Sequence, residues 1–215
     1  MLLSYFEGHA SIGQLLAWIL GVALAITVHE YAHARRALAA GDTTGLQSGR
    51  VTLNPLAHYD PVGSTLFLFA GFGWAKPVPV NPRMFRNPRS DGLWVALWGP
   101  LSNVLLAALL AVFLRLGITG PHTLTVAIMV YANCVLAIFN LIPIGPLDGA
   151  HILAGLLPPA QARKFELFQA QYGQYIIMAA LFMLFVPPFD MLTRTALMIP
   201  IKGLFWLLTG TGGLF

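Results

Sequence analysis

Apolar residues run almost unbroken from Ile12 to Ala40, from about Gly92 to Leu116 and from about Thr123 to Leu141. At about 1.5 Å of rise per residue, each stretch is long enough to cross a hydrocarbon core about 30 Å thick as an α-helix. Between the first two spans the pattern changes. Residues 41–60 are polar, with short β-like runs such as Arg50-Val51-Thr52-Leu53 and turns at Asn54-Pro55 and Asp60-Pro61. Pro61 to Phe72 is apolar but too short to cross, so it is expected to be re-entrant. Trp74 to Pro88 returns to the surface through Lys76-Pro-Val-Pro-Val, where alternating prolines confine an extended run to edge positions. Beyond the third span, Pro143 and Pro146 break the helix ahead of Asp148-Gly149. A short helix through His151 to Leu157 follows, Gln174 to Val186 is expected to begin a fourth span, and 189–208 either crosses as a fifth helix or lies along the interface. The predicted fold is an all-α polytopic membrane protein of about four to five spans, with a small half-buried β-rich or re-entrant region after the first. A single domain is expected over 1–215, with its core at about 12–157 and C-terminal helices at about 172–208.

Composition supports a membrane class: 57% of residues are hydrophobic and only 9% are charged, far from the balance of soluble domains. The net charge of +4 implies no nucleic-acid partner, because the basic residues have a topological pattern. Arg35, Arg36, Arg50, Lys76, Arg83, Arg86 and Arg89 all fall between the first and second spans, which places that segment in the cytoplasm by the positive-inside rule. The first ten residues carry Glu7 and no Lys or Arg, so they are expected on the other side and do not resemble a cleaved signal peptide. Cys134 has no partner cysteine and reads as a packing residue.

Against this apolar background stands His29-Glu30-Tyr31-Ala32-His33, an HExxH pattern within the first span. Positions i and i+4 share a helix face, so two imidazoles can grip one zinc ion while Glu30 reaches a water on it. The pattern also arises by chance in solvated helices. In a membrane, however, each ionisable group costs roughly 2.5 to 3.5 kcal/mol on insertion scales, and a zinc site can return on the order of 10 kcal/mol. His29 lies roughly 26 Å along the helix from Ile12, shallow from the cytoplasmic side. Catalytic zinc takes three protein ligands. Asp148, delivered by the proline break to about the same depth, is the candidate third; the alternative is an N-cap for the helix after Leu147.

Asn140-Leu-Ile-Pro-Ile-Gly-Pro-Leu-Asp148-Gly149, paired with the upstream HExxH, resembles the two signatures of the site-2 proteases, intramembrane zinc metalloproteases. Gly99-Pro-Leu-Ser-Asn103 is similar to that family's Gly-xxx-Asn element, and Gly49-Arg-Val-Thr-Leu-Asn-Pro and Lys76-Pro-Val-Pro-Val-Asn-Pro to the loops flanking its half-buried β region. Gly145 departs from the pattern, standing where many members have proline. No PDZ insertion or nucleotide-sensing extension is visible. The resemblance implies one catalytic Zn2+ on His29, His33 and Asp148, with Glu30 as general base and Asn103 as an oxyanion donor. Asn140 would orient a ligand or substrate backbone, or else form a contact between spans. It further implies cleavage of transmembrane-segment substrates in a lipid bilayer, in the cell membrane, with the site toward the cytoplasm; the oligomeric state is open. His58 and His151 are candidates for supporting the zinc ligands, His9 and His122 read as surface positions, and Met178 and Met183 as packing. A zinc transporter or a non-catalytic metal-binding membrane protein would also place His and acidic residues on helix faces.

Overall fold

Helix ends in this chain are written into its capping residues. Ser11 accepts a hydrogen bond from the Gln14 amide at 3.2 Å, and the Gln14 side chain accepts one from the Ser11 amide at 2.7 Å, a reciprocal capping box that starts α1 (Ile12–Ala40). The helix stops at Gly41, whose φ of 109° is open to glycine; its amide bonds Leu38 O while the Asp42 amide bonds Ala37 O. These details belong to a computed structural model in which residues 11–63, 65, 73–184, 186–187 and 189–211 are described. There α1 is followed by the short α2 (Thr44–Gln47), α3 (Pro88–Arg115), α4 (Thr123–Asn140), α5 (Asp148–Leu156), α6 (Pro159–Met183) and α7 (Phe189–Thr209).

Four stretches among the described residues are helical, long and apolar enough to cross a membrane: Ile12–Ala40, Pro88–Arg115, Gly120–Asn140 and Phe189–Thr209. The chain is a multi-pass membrane protein. Its first three spans lie where the apolar pattern puts them, and the fourth falls on the 189–209 segment, for which crossing is one of two expectations. The expected span from Gln174 is the second half of α6, which begins at Pro159 and carries Arg163, Lys164, Glu166, Gln169, Gln171 and Gln174. These polar residues keep α6 outside the set of candidate spans, and the last of the four is instead the 189–209 segment.

The expected β-rich region is corrected: no strand occurs among the described residues. Residues 73–81 are irregular, because Pro77 and Pro79 bring no amide to a ladder and the amides of Lys76 and Val78 beside them are already committed. Lys76 N donates to His58 O at 2.9 Å, and Val78 N donates to the Glu30 carboxylate at 3.1 Å. Near Arg50 the chain turns, and the Arg50 guanidinium binds the Ala57 carbonyl. The re-entrant segment expected at 61–72 lies, beyond its first residues, outside the described residues, as does His9.

α1, α3 and α4 pack against one another, and α7 closes on α3 and α4. Small side chains permit the close approach. Ala107, Ala111, Ala127, Val130 and Cys134 form the α3–α4 seam with Ile201 and Phe205 of α7, while Ala17, Trp18, Ile128 and Ala132 form the α1–α4 seam. Without a hydrophobic force between helices in lipid, such van der Waals packing and a few buried polar contacts hold the bundle. At the end of α1, the buried Asp42 carboxylate accepts the Thr44 amide at 2.9 Å and the Asn81 amide at 2.7 Å, tying the exit of α1 to the approach to α3.

Burial alone would raise the pKa of Asp42, but the hydrogen bonds from Thr44 and Asn81 outweigh it and hold this carboxyl below the usual range. Its contribution to stability is therefore present above the unfolded pKa of about 3.9 and is lost as pH falls through the lower folded value. Asp42→Asn is expected to cost about 1 to 3 kcal/mol at neutral pH. Thermal unfolding in detergent should show the two proteins converging below about pH 4; equal melting at neutral pH would count against the tie.

Candidate metal centre

His29, Glu30 and His33 sit in the second half of α1, and α3 supplies the surroundings that fix the two rings. His29 Nδ1 lies 2.7 Å from Asn103 Oδ1, and His33 Nδ1 lies 2.7 Å from the Val95 carbonyl. Both partners are acceptors, so each Nδ1 carries the proton. Asn103 must turn its oxygen to His29, because its amide nitrogen donates to Ala25 O at 2.9 Å and to Asn133 Oδ1 at 3.0 Å. Each neutral imidazole is left with a bare lone pair on Nε2.

Those lone pairs point at each other and at a carboxylate. His29 Nε2 and His33 Nε2 are 3.0 Å apart, and Asp148 Oδ2 is 3.1 Å from the first and 3.3 Å from the second. With both rings neutral and protonated at Nδ1, no proton bridges the three atoms, and Asp148 Oδ2 is a buried acceptor without a hydrogen bond. Such a triangle is repulsive unless a cation sits over it. A zinc-type ion about 2.0 to 2.1 Å from each donor in tetrahedral geometry requires donor separations of roughly 3.3 Å, and two imidazoles plus a carboxylate are a suitable donor set. Among the described residues, His29, His33 and Asp148 form the group of metal-type side chains able to hold an ion.

Two glycines make the convergence sterically possible. A Cβ on Gly99 would stand 2.3 Å from His33 Nε2 and 2.8 Å from His29 Cε1, inside the space the rings occupy. Gly99 and Asn103 are four apart on α3, so one face of that helix both clears room for the imidazoles and orients one of them. On the other side, a Cβ on Gly149 would meet Leu141 O at 2.3 Å, so glycine alone lets α5 seat on the end of α4. Asp148 is the first residue of α5, with Leu147 as N-cap and no side-chain capping bond. Its carboxylate faces the histidines rather than the helix end.

Glu30 borders a cavity of about 1250 Å³ that is also lined by His29, His33, Asp148, Asn140 and His151. Its Oε2 is held by the Val78 amide, and Oε1 makes no hydrogen bond among the described residues. Asn103 does not reach this cavity: it is fully buried with both amide hydrogens used, which leaves no donor for an oxyanion in this arrangement. Asn140 Nδ2 donates back to Leu136 O at 3.0 Å within α4. His58 is buried away from the cavity, with Nε2 3.0 Å from Thr52 O. Sequence reasoning missed Asn133, although a polar residue inside an apolar span was a usable signal. It also missed Val95, whose contribution is a backbone carbonyl and leaves no trace in the sequence.

A family model described as Peptidase family M50 matches residues 119–185, a stretch that contains Asp148 and lies downstream of the histidine pair. The Bacillus subtilis (strain 168) protein named "Putative zinc metalloprotease YwhC" is 39% identical over 174 residues, covering 76% of this chain and 78% of that protein. "Putative zinc metalloprotease Rip2" of Mycolicibacterium smegmatis (strain ATCC 700084 / mc(2)155) is 27% identical over 178 residues, covering 79% of this chain and 68% of the relative. No solved structure matches.

Gly99→Ala is expected to weaken zinc binding by at least about tenfold, since the added methyl displaces both rings from the donor triangle. Chelator competition on purified protein measures this. An unchanged dissociation constant would show that α3 can shift aside without disturbing the histidines.

Proposed function

The chain belongs to peptidase family M50, and on that premise we propose that it is a zinc-dependent intramembrane endopeptidase that cuts peptide bonds in or near transmembrane segments of membrane proteins. The observation that carries this reading is the convergence of His29, His33 and Asp148 beside Glu30 at one cavity inside an apolar bundle. His29, His33 and Asp148 would hold the ion. Zinc, when bound, supplies Lewis acidity, which acidifies a water toward a pKa of about 7 and polarises a carbonyl.

The remaining work falls to protein groups. Asn103 and Val95 hold the imidazoles in the tautomer that presents Nε2, so Asn103 acts as a positioning residue through His29. Glu30 takes the proton of the attacking water on its free Oε1 and returns it to the leaving amine, while the Val78 amide keeps the carboxylate turned to the cavity. A substrate must enter with its backbone unwound, because a helical peptide hides its carbonyls in its own hydrogen bonds. The cavity is roomy enough for an extended stretch, and its apolar walls, including Trp74, Leu136 and Phe139, suit the side chains of a transmembrane segment. The site is assigned to the cytoplasmic side of the cell membrane on the strength of Arg35, Arg36 and the basic loop that follows α1. A transport route would need further ligand sets stepping along the bilayer, and the described residues offer one.

Glu30→Gln is expected to retain zinc and to lower kcat/KM on a transmembrane peptide by about 10² to 10⁴, the usual contribution of a general base. Chelation should abolish wild-type cleavage and added zinc restore it. Cleavage by the Gln variant at wild-type rate would sink this assignment of Glu30; zinc-independent cleavage would sink the reading as a whole.

A further inference from the structure

The third metal ligand is carried by the end of an irregular loop. Between Leu141 and Leu147 two prolines remove backbone donors, Gly145 takes a left-handed φ of 58°, and Asp148 follows at once as the first residue of α5. A loop of this kind has several conformations open to it, and a carboxylate displaced by 1 Å no longer completes a donor triangle with edges of 3.0 to 3.3 Å.

One side chain from outside the loop fixes it. Gln169 of α6 accepts the Gly145 amide at 2.8 Å and donates to the Pro143 carbonyl at 3.0 Å, so a single carboxamide closes over both ends of the Pro143–Gly145 turn. Four residues further along the same helix face, Gly173 packs directly on the turn: a Cβ built there would stand 2.7 Å from Gly145 Cα. A proline at 145 could adopt neither this φ nor this donor role, so the glycine that departs from the family pattern is matched to the glutamine opposite. α6 has little else to hold it inward, for Ala162 and Gly173 are its only buried residues among 25.

We propose that Gln169 is a positioning residue for the metal centre: by clamping Pro143 O and Gly145 N it sets the loop that aims Asp148 at His29 and His33. It touches neither the ion nor the cavity floor beside Glu30, and acts only through the loop. The proposal rests on the reading of His29, His33 and Asp148 as zinc ligands.

Zinc dissociation constants, measured by chelator competition on the full chain in detergent, test it together with kcat/KM at limiting and at excess zinc. Gln169→Ala is expected to bind zinc about 10 to 100 times more weakly and to regain most of its kcat/KM in excess zinc, a rescue that a merely misfolded variant would not show. Gln169→Glu keeps the acceptor for Gly145 and loses the donor to Pro143, and should fall between the two. Gly173→Ala, which pushes α6 off the turn, provides a second route to the same loss should Gln169→Ala fail to fold. Gln171→Ala, on an exposed position of the same helix, should leave zinc affinity unchanged. Equal dissociation constants for wild type, the Gln169 variants and Gly173→Ala overturn the proposal alone. A wild type that holds no zinc overturns it along with the reading beneath it.

Discussion

Three lone-pair donors held within 3.3 Å of one another repel, and the bundle is arranged around keeping them together. The cost of gathering two imidazoles and a carboxylate in a bilayer is set against the return from one divalent ion, which is the larger quantity. That return depends on both histidines presenting Nε2. The tautomer is settled not by the metal but by Asn103 Oδ1 and the Val95 carbonyl, and Asn103 is itself settled by Ala25 O and Asn133 Oδ1. A chain of hydrogen bonds through three spans thus ends at one lone pair. Since every member is buried and paired, the network can sit in an apolar interior without a standing penalty.

The same demand explains where the chain is small. Alanines and glycines line the seams of α1, α3 and α4, and at two places the absence of a side chain is itself the requirement: Gly99, whose missing Cβ is the space filled by the rings, and Gly149, whose missing Cβ lets α5 start on the end of α4. His29 and His33 on α1 and Asp148 at the head of α5 meet only because α3 and α4 yield room. The apolar bundle and the polar centre are accordingly one design, and a packing change at Gly99 is a change in metal chemistry.

Much of this was legible in the residues. The bounds of α1 follow from an apolar stretch closed by Gly41, and the second and third spans from length and apolarity alone, because in lipid a spanning segment must satisfy its backbone internally. His29, Glu30, His33 and Asp148 were visible because ionisable groups in such a setting call for a partner. What failed depended on tertiary partners. The run from Lys76 to Asn81 has the residues of an edge strand, but its amides go to His58 O and Glu30 instead of a neighbouring strand. The apolar run from Gln174 continues a helix that starts at Pro159, whose first half is polar, so the apolar pattern alone does not mark where this element begins. Asn103 was read from family likeness as a donor to substrate, whereas its donors are consumed within the bundle; a role that depends on which end of an amide is free cannot be seen in a letter.

Water-dependent cleavage within a membrane poses a problem of access, and the burial pattern answers it. His29 and His33 are only 5% and 9% exposed, so the bundle buries the two imidazoles, while Glu30 is half-buried and stands at the cavity. Residues 73–81 form part of the cavity wall and are tied to Glu30 through Val78, so this stretch of wall also sets the orientation of the carboxylate. An enzyme that let water in freely would lose the low-dielectric surroundings that strengthen its electrostatics, and one that excluded it would have no nucleophile. His29, Glu30 and His33 stand in the second half of a helix whose end is marked by Arg35, Arg36 and Asp42, so one helix brings the buried imidazoles and the half-buried carboxylate to the same cavity.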